Sequence, residues 1–202
     1  MKRPWRFLKN LKTTFELFKT GLDKDRPDKF ELWFQDESRF GLKTQVGRCV
    51  SPIGARPLAP YQHRFDNTYL WGSYSPVSGD SFVWEINGTD GRIFEAYLNA
   101  LSQSRPNIQN IVVIDNAGFH STKNFEVPEN IHLLRIPPYS PELNPCEQIW
   151  QYIKQRFKNM LFDSMEELKQ WLHDQVRSMG PELVKSITAN KLYLENFISV
   201  FL

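Results

Sequence analysis

The chain has 202 residues, 41% of them hydrophobic, with 15 Phe, 7 Tyr and 6 Trp, enough for one buried core and too apolar for a disordered polyelectrolyte. Its 25 basic and 23 acidic side chains leave a net charge of +2, which excludes a uniformly basic nucleic-acid binder but not a local basic patch. Cys49 and Cys146 are too far apart for a CxxC-type zinc site or a disulfide framework, and no apolar run approaches the roughly 20 residues of a membrane span; a soluble, unexported, cytoplasmic protein with no membrane partner is expected.

The balanced total conceals a split. Residues 1–29 hold nine basic and four acidic side chains, whereas the other 173 residues hold 16 basic and 19 acidic. Within the basic segment Trp5, Leu8, Leu11, Phe15 and Phe18 recur at three- and four-residue spacing, predicting a helix that packs on the main domain or meets a partner. Residues 21–29, polar and carrying Pro27, read as a linker. The chain is thus expected to divide into a basic linker or docking helix, 1–29, and a main domain, 30–202.

From Phe30 the string FELWFQDES predicts an aromatic strand running into Asp36 and Glu37. Residues 38–65 contain five basic side chains and no acid, with Pro52, Pro57 and Pro60 marking loop. Two aromatic strands at 69–74 and 81–86 flank a Ser-Pro-Val-Ser-Gly-Asp turn. Ile93, Tyr97, Leu98 and Leu101 mark a helix ending before Pro106. Residues 111–115, IVVID, form a short β-branched run suited to a strand covered on both faces, and it ends in an acid. A strand at 131–136 leads into PPYSPELNP, which holds four of the thirteen prolines. Helices follow at about 145–160 and 164–178, the second opened by Ser164 and Glu167 in capping-box spacing. A meander of strands, a helix, further strands and terminal helices predict an α/β, three-layer arrangement with a mixed central sheet.

Three acids stand at informative places: Asp36 at or near the end of the first strand, Asp115 at the end of the apolar strand, and Glu147 at a helix start. Carboxylates at strand ends suit hard divalent cations, because a sheet fixes their positions while the loops leave a cleft open to water and phosphate oxygens. Two such ions about 3.5 to 4 Å apart promote in-line displacement at phosphorus. Plain structural roles fit the same spacing. Asp36 and Glu37 suit a solvated strand end, Asp115-Asn116-Ala117-Gly118 suits an Asx turn, and Asn144-Pro145 with Glu147 three residues on is a helix-start signature.

The strings FQDESRFGL (34–42), VVIDNAGFH (112–120) and IPPYSPELNPCEQIW (136–150) resemble the three blocks of DDE transposases of the mariner superfamily, especially its bacterial insertion-sequence branch. The third is the most specific, and the similarity covers about residues 30–160. The resemblance implies a ribonuclease-H-like fold in which Asp36, Asp115 and Glu147 form an acidic triad holding two Mg²⁺ ions, with Mn²⁺ able to substitute. It implies DNA cleavage by water and then strand transfer, in which a 3′-hydroxyl attacks a target phosphodiester without a covalent enzyme intermediate. It also implies DNA partners, the element ends and the target, and a dimer that pairs two ends. A nuclease that cuts without joining, or an inactive DNA-binding or oligomerisation module, is the alternative.

The sequence departs from the family pattern in three ways. The 31 residues between Asp115 and Glu147 make a slightly short connection. Cys146 stands where relatives carry an aliphatic residue. The 29 residues before the first strand cannot hold the family's helix-turn-helix domains, so a separately encoded or fused DNA-binding part is expected. Asn116, His120 and Asn144 are expected near the site, with Glu37 behind it, since strand alternation turns it away from Asp36. His63, His132 and His173 have no metal-ligand spacing. Trp150, Ile153 and Phe157 share a core-facing helix side. Arg39, Lys43, Arg48, Arg56 and Arg64, with Lys154, Arg156 and Lys158 in the acid-free stretch 148–162, are candidate phosphate contacts, which would position DNA without reading it.

Overall fold

The computed structural model describes residues 3–21, 29–48, 50–56 and 58–202, with side chains from Arg6 onward. Cys49, the Trp5 side chain and residues 22–28 of the expected linker lie outside the described residues. Five strands form one sheet: β1 (Phe30–Gly41), β2 (Asn67–Tyr74), β3 (Ser81–Ile86), β4 (Gln109–Ile114) and β5 (Ile131–Arg135), in the order β3-β2-β1-β4-β5. The first three are an antiparallel meander, and β1, β4 and β5 are parallel. The sheet is therefore mixed, as the alternation of elements predicts. Every residue of β4 is buried, as an apolar run covered on both faces requires.

Period-two alternation divides the aromatic residues between two cores. On one face Trp33, Trp71 and Ile114 pack with Phe94, Tyr97 and Leu98 of α3 (Gly91–Ser104). Asp90 starts that helix by accepting hydrogen bonds from the backbone N–H groups of Arg92 and Ile93 at 2.8 and 2.9 Å. On the other face Leu32, Phe34, Phe40 and Leu70 meet Ile149, Trp150, Ile153 and Phe157 of α4 (Cys146–Phe157). The same core takes in residues of α5 (Met165–Ser178), α6 (Pro181–Thr188) and α7 (Lys191–Phe201), whose Tyr193 ring lies 4.9 Å from that of Phe34 on β1. The expected cap of α5 forms: Ser164 Oγ accepts from Glu167 N at 3.1 Å, and Glu167 Oε2 accepts from Asp163 N at 2.7 Å.

The register of β1 shapes the site and corrects one expectation. Asp36 is not at the end of its strand, because antiparallel pairing with β2 carries β1 on to Gly41 opposite Asn67. Parallel pairing with β4 stops earlier, at Phe34 opposite Val113. Two residues beyond that last pair, Asp36 and Asp115 emerge side by side where β4 has ended. Beyond β1, the backbone hydrogen bonds from Leu42 N to Asp66 O and from Thr44 N to Gln62 O close the base of a long loop in which Val50, Ile53 and Leu58 are exposed.

The N-terminal periodicity predicts one helix, and the structure has two, α1 (Arg3–Lys9) and α2 (Leu11–Thr20). They part at Asn10, whose φ of −93° and ψ of 0° leave the helical region and whose side chain makes no capping bond. Leu11 and Phe15 of α2 are fully buried, Phe15 lies 5.9 Å from Phe197 and 5.7 Å from Phe201 between ring centroids, and Lys19 Nζ donates to Val200 O at 2.6 Å. If α2 is part of this core, Phe15→Ala lowers stability to denaturant by about 3 kcal/mol or more, whereas Glu16→Ala changes it by less than about 0.5 kcal/mol. Unchanged stability in Phe15→Ala would show α2 to be a dispensable appendage.

Candidate active site

Asp36, Asp115 and Glu147 line one open cavity of about 440 Å³, together with Asn116, Asn144 and the loop residues Pro137 to Pro141. Three different constraints bring them there. β1 presents Asp36 towards α4, where the Trp150 indole N–H donates to its Oδ2 at 2.9 Å. Gly72, the β2 partner of Asp36, makes room for that indole: a Cβ at position 72 would stand 2.8 Å from the Trp150 ring and 2.6 Å from the Tyr74 ring. Asp115 leaves the end of β4 in the expected turn, its Oδ1 accepting from Ala117 N at 2.8 Å. Glu147 stands in the first turn of α4.

The two asparagines brace this frame. Asn144 Nδ2 donates to the β1 carbonyl of Gln35 at 2.8 Å, and its Oδ1 accepts from Cys146 N at 3.1 Å. Asn144 thus caps α4 and ties it to the strand bearing Asp36. The Asn116 amide donates to the carbonyl of Ile136, holding the turn after β4 against the proline-rich loop. Glu147 does not complete a capping box, and its carboxylate makes no hydrogen bond or ion pair among the described residues.

His120 lies behind the cavity, with its ring fully buried. Its Nδ1 is 2.7 Å from Asp115 Oδ1 and its Nε2 is 3.0 Å from Glu37 Oε1. Burial alone would favour the neutral ring, but the hydrogen bonds to Asp115 and Glu37 push its pKa up to about 9. As an imidazolium it donates from both nitrogens. The same bond to His120 is the chief reason that Asp115 is held below the usual carboxylate value. Gln35 Nε2 adds a 2.6 Å bond to Glu37 Oε1. Sequence reasoning turned Glu37 away from Asp36 by strand alternation but missed this chain of contacts, because the step from Glu37 to His120 spans 83 positions. The usable signal was that Gln35 and Glu37, two apart in a strand, must share a face.

Among the described residues Asp36 has no comparable cation. Desolvation, then repulsion from Glu37, Glu147 and Asp115, pushes its pKa up to about 8. The donors are all oxygen and carry unbalanced negative charge, which is the chemistry of a hard-cation site. Among the described residues, no three Asp, Glu, His or Cys donors are already gathered tightly enough to hold an ion. The donor type and charge would suit Mg²⁺, a cation that takes oxygen ligands and keeps water among them. Cys146, beside this cluster, is buried with its thiol pKa pushed well up by desolvation, and its Sγ–H points to Gly72 O at 3.7 Å; it is a packing residue.

The candidate phosphate contacts separate into groups. Lys154 and Lys158, one turn apart on the line of α4, border a groove that continues from Glu147 past Gln45. Lys154 Nζ also lies 5.8 Å from the Phe40 ring centroid. Arg156 instead stacks on Tyr152 at 3.5 Å and donates to the Tyr152 carbonyl. Arg39, Lys43, Arg48 and Arg56 are exposed. Arg64 is engaged by Asp66 at 3.4 Å and by Asp163 O at 3.0 Å.

A family model described as DDE superfamily endonuclease matches residues 31–169. The uncharacterized protein y4pE/y4sA of Sinorhizobium fredii is 29% identical over 102 residues, covering 50% of this chain and 76% of its own length. The transposable element Tcb1 transposase of Caenorhabditis briggsae is 27% identical over 174 residues, covering 79% of this chain and 64% of its own. Among solved structures, the mariner Mos1 paired-end complex with Mg has a TM-score of 0.65 at 17% identity over 99% of this chain and 62% of that one. The Mos1 complex with Mn has a TM-score of 0.63 at 20% identity over 96% and 62%. The structural likeness identifies the fold as the ribonuclease-H-like one, and this chain spans less than two thirds of the Tcb1 and Mos1 chains. No helix among the described residues is long and apolar enough to cross a membrane.

The bridge from Glu37 through His120 to Asp115 is expected to behave as one coupled unit. His120→Ala leaves Glu37 as a buried charge lacking its counterion and lowers stability by about 3–5 kcal/mol. Glu37→Gln in that background restores part of the loss, giving a coupling energy of at least about 1 kcal/mol in urea unfolding. Additive losses would mean that the imidazolium does not hold the two carboxylates together.

Proposed function

The chain belongs to the DDE superfamily endonuclease family, and from that premise we propose that it is the catalytic domain of a transposase that cuts DNA and joins the freed 3′ end to a target strand. The observation that carries this reading is the meeting of Asp36, Asp115 and Glu147 around one open cavity, where burial and then the neighbouring carboxylates push Asp36 up to about 8. Asp36, Asp115 and Glu147 would hold two Mg²⁺ ions, for which Mn²⁺ could substitute. Bound there, the pair would activate the attacking hydroxyl and neutralise charge on the leaving oxygen.

The protein side chains supply the frame. Asp115 is oriented by His120 and by the Ala117 N–H, and Asp36 by the Trp150 indole. Glu147, without a hydrogen bond or ion pair among the described residues, is the adjustable third arm. In the first reaction water attacks phosphorus, the bond to the 3′ oxygen breaks, and a 3′-hydroxyl is released. In the second that hydroxyl attacks a target phosphodiester, forming one P–O bond and breaking another. Neither step needs a covalent enzyme intermediate, and catalysis rests on positioning and charge neutralisation.

Lys154 and Lys158, bordering the groove beyond Glu147, would track a DNA backbone, and the exposed Arg39, Lys43, Arg48 and Arg56 would widen that contact. Of the relatives named above, Tcb1 is a transposase and mariner Mos1 is solved as a paired-end complex. That supports element ends and target DNA as partners; with them we propose a dimer that pairs two ends and a helix-turn-helix part, fused or separate, that reads them.

Asp36→Asn, Asp115→Asn and Glu147→Gln should each lower Mn²⁺-dependent nicking and joining by more than about a hundredfold, beyond what outer contacts of a metal site contribute, while far-ultraviolet circular dichroism stays native. Full activity in Asp115→Asn would defeat the proposal. Wild-type activity should vanish with EDTA and return with excess Mg²⁺. A DNA donor carrying a preformed 3′-hydroxyl end separates the two enzymatic readings: joined product supports transposition, and cleavage alone supports a nuclease.

A further inference from the structure

Tyr139 stands apart from the rest of the cavity wall. Its side chain is fully exposed, at 101% of the reference area, although it lines the cavity that holds Asp36, Asp115 and Glu147. Its φ is +58°, in the left-handed region that a bulky aromatic residue rarely enters. Such a conformation persists only where the surroundings enforce it, and such residues cluster at functional sites.

The surroundings here do enforce it. The loop is tied to the sheet where Ile136 N donates to Ile114 O at 2.9 Å and where Asn116 holds the Ile136 carbonyl. On the far side Ser140 and Leu143 are buried, and Leu143 N donates to Ser140 O at 3.0 Å. Pro138 before Tyr139 and Pro141 after it restrict the backbone further. Among the described residues no ring stacks on Tyr139, and its hydroxyl makes no hydrogen bond. A loop tied down on both sides therefore holds out an exposed aromatic face at the cavity that the three carboxylates line.

We infer that Tyr139 is a nucleobase-stacking residue that holds a base next to the scissile phosphate, turned out of the DNA stack towards the cavity. This rests on the proposed DNA-cutting function. A phosphate seated among the carboxylates brings its flanking bases to the cavity mouth. The aromatic face offers a base the stacking it loses on leaving the duplex, without reading its identity. The cost of ordering is reduced, because the backbone that carries the ring is fixed before the DNA arrives.

The experiment pairs deletions on the two sides of the contact. With the full chain and Mn²⁺, the cut positions in a labelled DNA duplex are mapped. Single-turnover cleavage is then followed over a range of protein concentrations, giving an apparent Kd and a maximal rate. Tyr139→Ala, whose side chain is too exposed to affect folding, should weaken the apparent Kd about tenfold, the scale of one base–aromatic stack. Tyr139→Phe should restore it to within about threefold. An abasic site at one position beside the cut should cost the wild type the same factor and cost Tyr139→Ala nothing further. If the two losses multiply at every position, or if Tyr139→Phe is as weak as Tyr139→Ala, the ring does not stack on a base and the inference is wrong; the second result would assign the contact to the hydroxyl. If the wild type cuts no DNA even when the helix-turn-helix part is supplied, the proposed function fails and this inference fails with it. Cleavage by Tyr139→Ala with wild-type Kd and rate overturns this inference alone.

Discussion

Like charges held close together are the constraint on which the rest of this structure depends. Asp36, Glu37, Asp115 and Glu147 crowd one end of a sheet, and burial together with repulsion from the other three raises the Asp36 carboxyl. Each acid is handled differently. Asp115 and Glu37 share the His120 imidazolium, Asp36 receives one indole N–H, and Glu147 is exposed, with no partner among the described residues. Buried charges are tolerable only when paired and hydrogen-bonded, so the cluster is satisfied on its inner side and left unbalanced on its outer side. That asymmetry leaves the negative potential facing the cavity, where a cation and a phosphate can approach.

The sheet makes the asymmetry possible by keeping the two inner partners on opposite faces. Asp36 faces α4 and meets Trp150. Glu37, one residue on, faces α3 and meets His120, whose ring lies 4.7 Å from the Phe94 centroid. Each core therefore contributes one rigid aromatic or imidazole donor to the acids above it. The frame is stiff because those donors are themselves packed: Trp150 fits over Gly72 and against Tyr74, and His120 sits among Trp71, Phe94 and Phe119. The length of β1 matters equally. Its pairing with β2 holds Asp36 in a true strand, while the earlier end of β4 opens the space that the cavity occupies.

Much of this was legible before any coordinates. Local periodicity placed the strands and the α3, α4 and α5 helices, because the factors that decide them, alternation, β-branching, caps and prolines, lie within a few residues of one another. The three blocks around Asp36, Asp115 and Glu147 were recognisable as a family signature, and family membership now rests on the match to residues 31–169. The break at Asn10, the continuation of β1 past Asp36 and the separate helices α6 and α7 were not legible. Each depends on what packs against the segment: β2 on one side of β1, α7 against α2.

The sequence by itself determined which side chains could do chemistry and which elements would carry them, since residue type and short-range spacing are local properties. Tertiary structure alone decided how the acids are paired. Nothing near Glu37 in the chain announces His120, nothing near Asp36 announces Trp150, which is 114 positions away, and nothing near Pro138 indicates that Tyr139 will be held out bare. Charge compensation and ring exposure depend on distances across the fold, and those exist only once the sheet and its two helical layers have closed around the site.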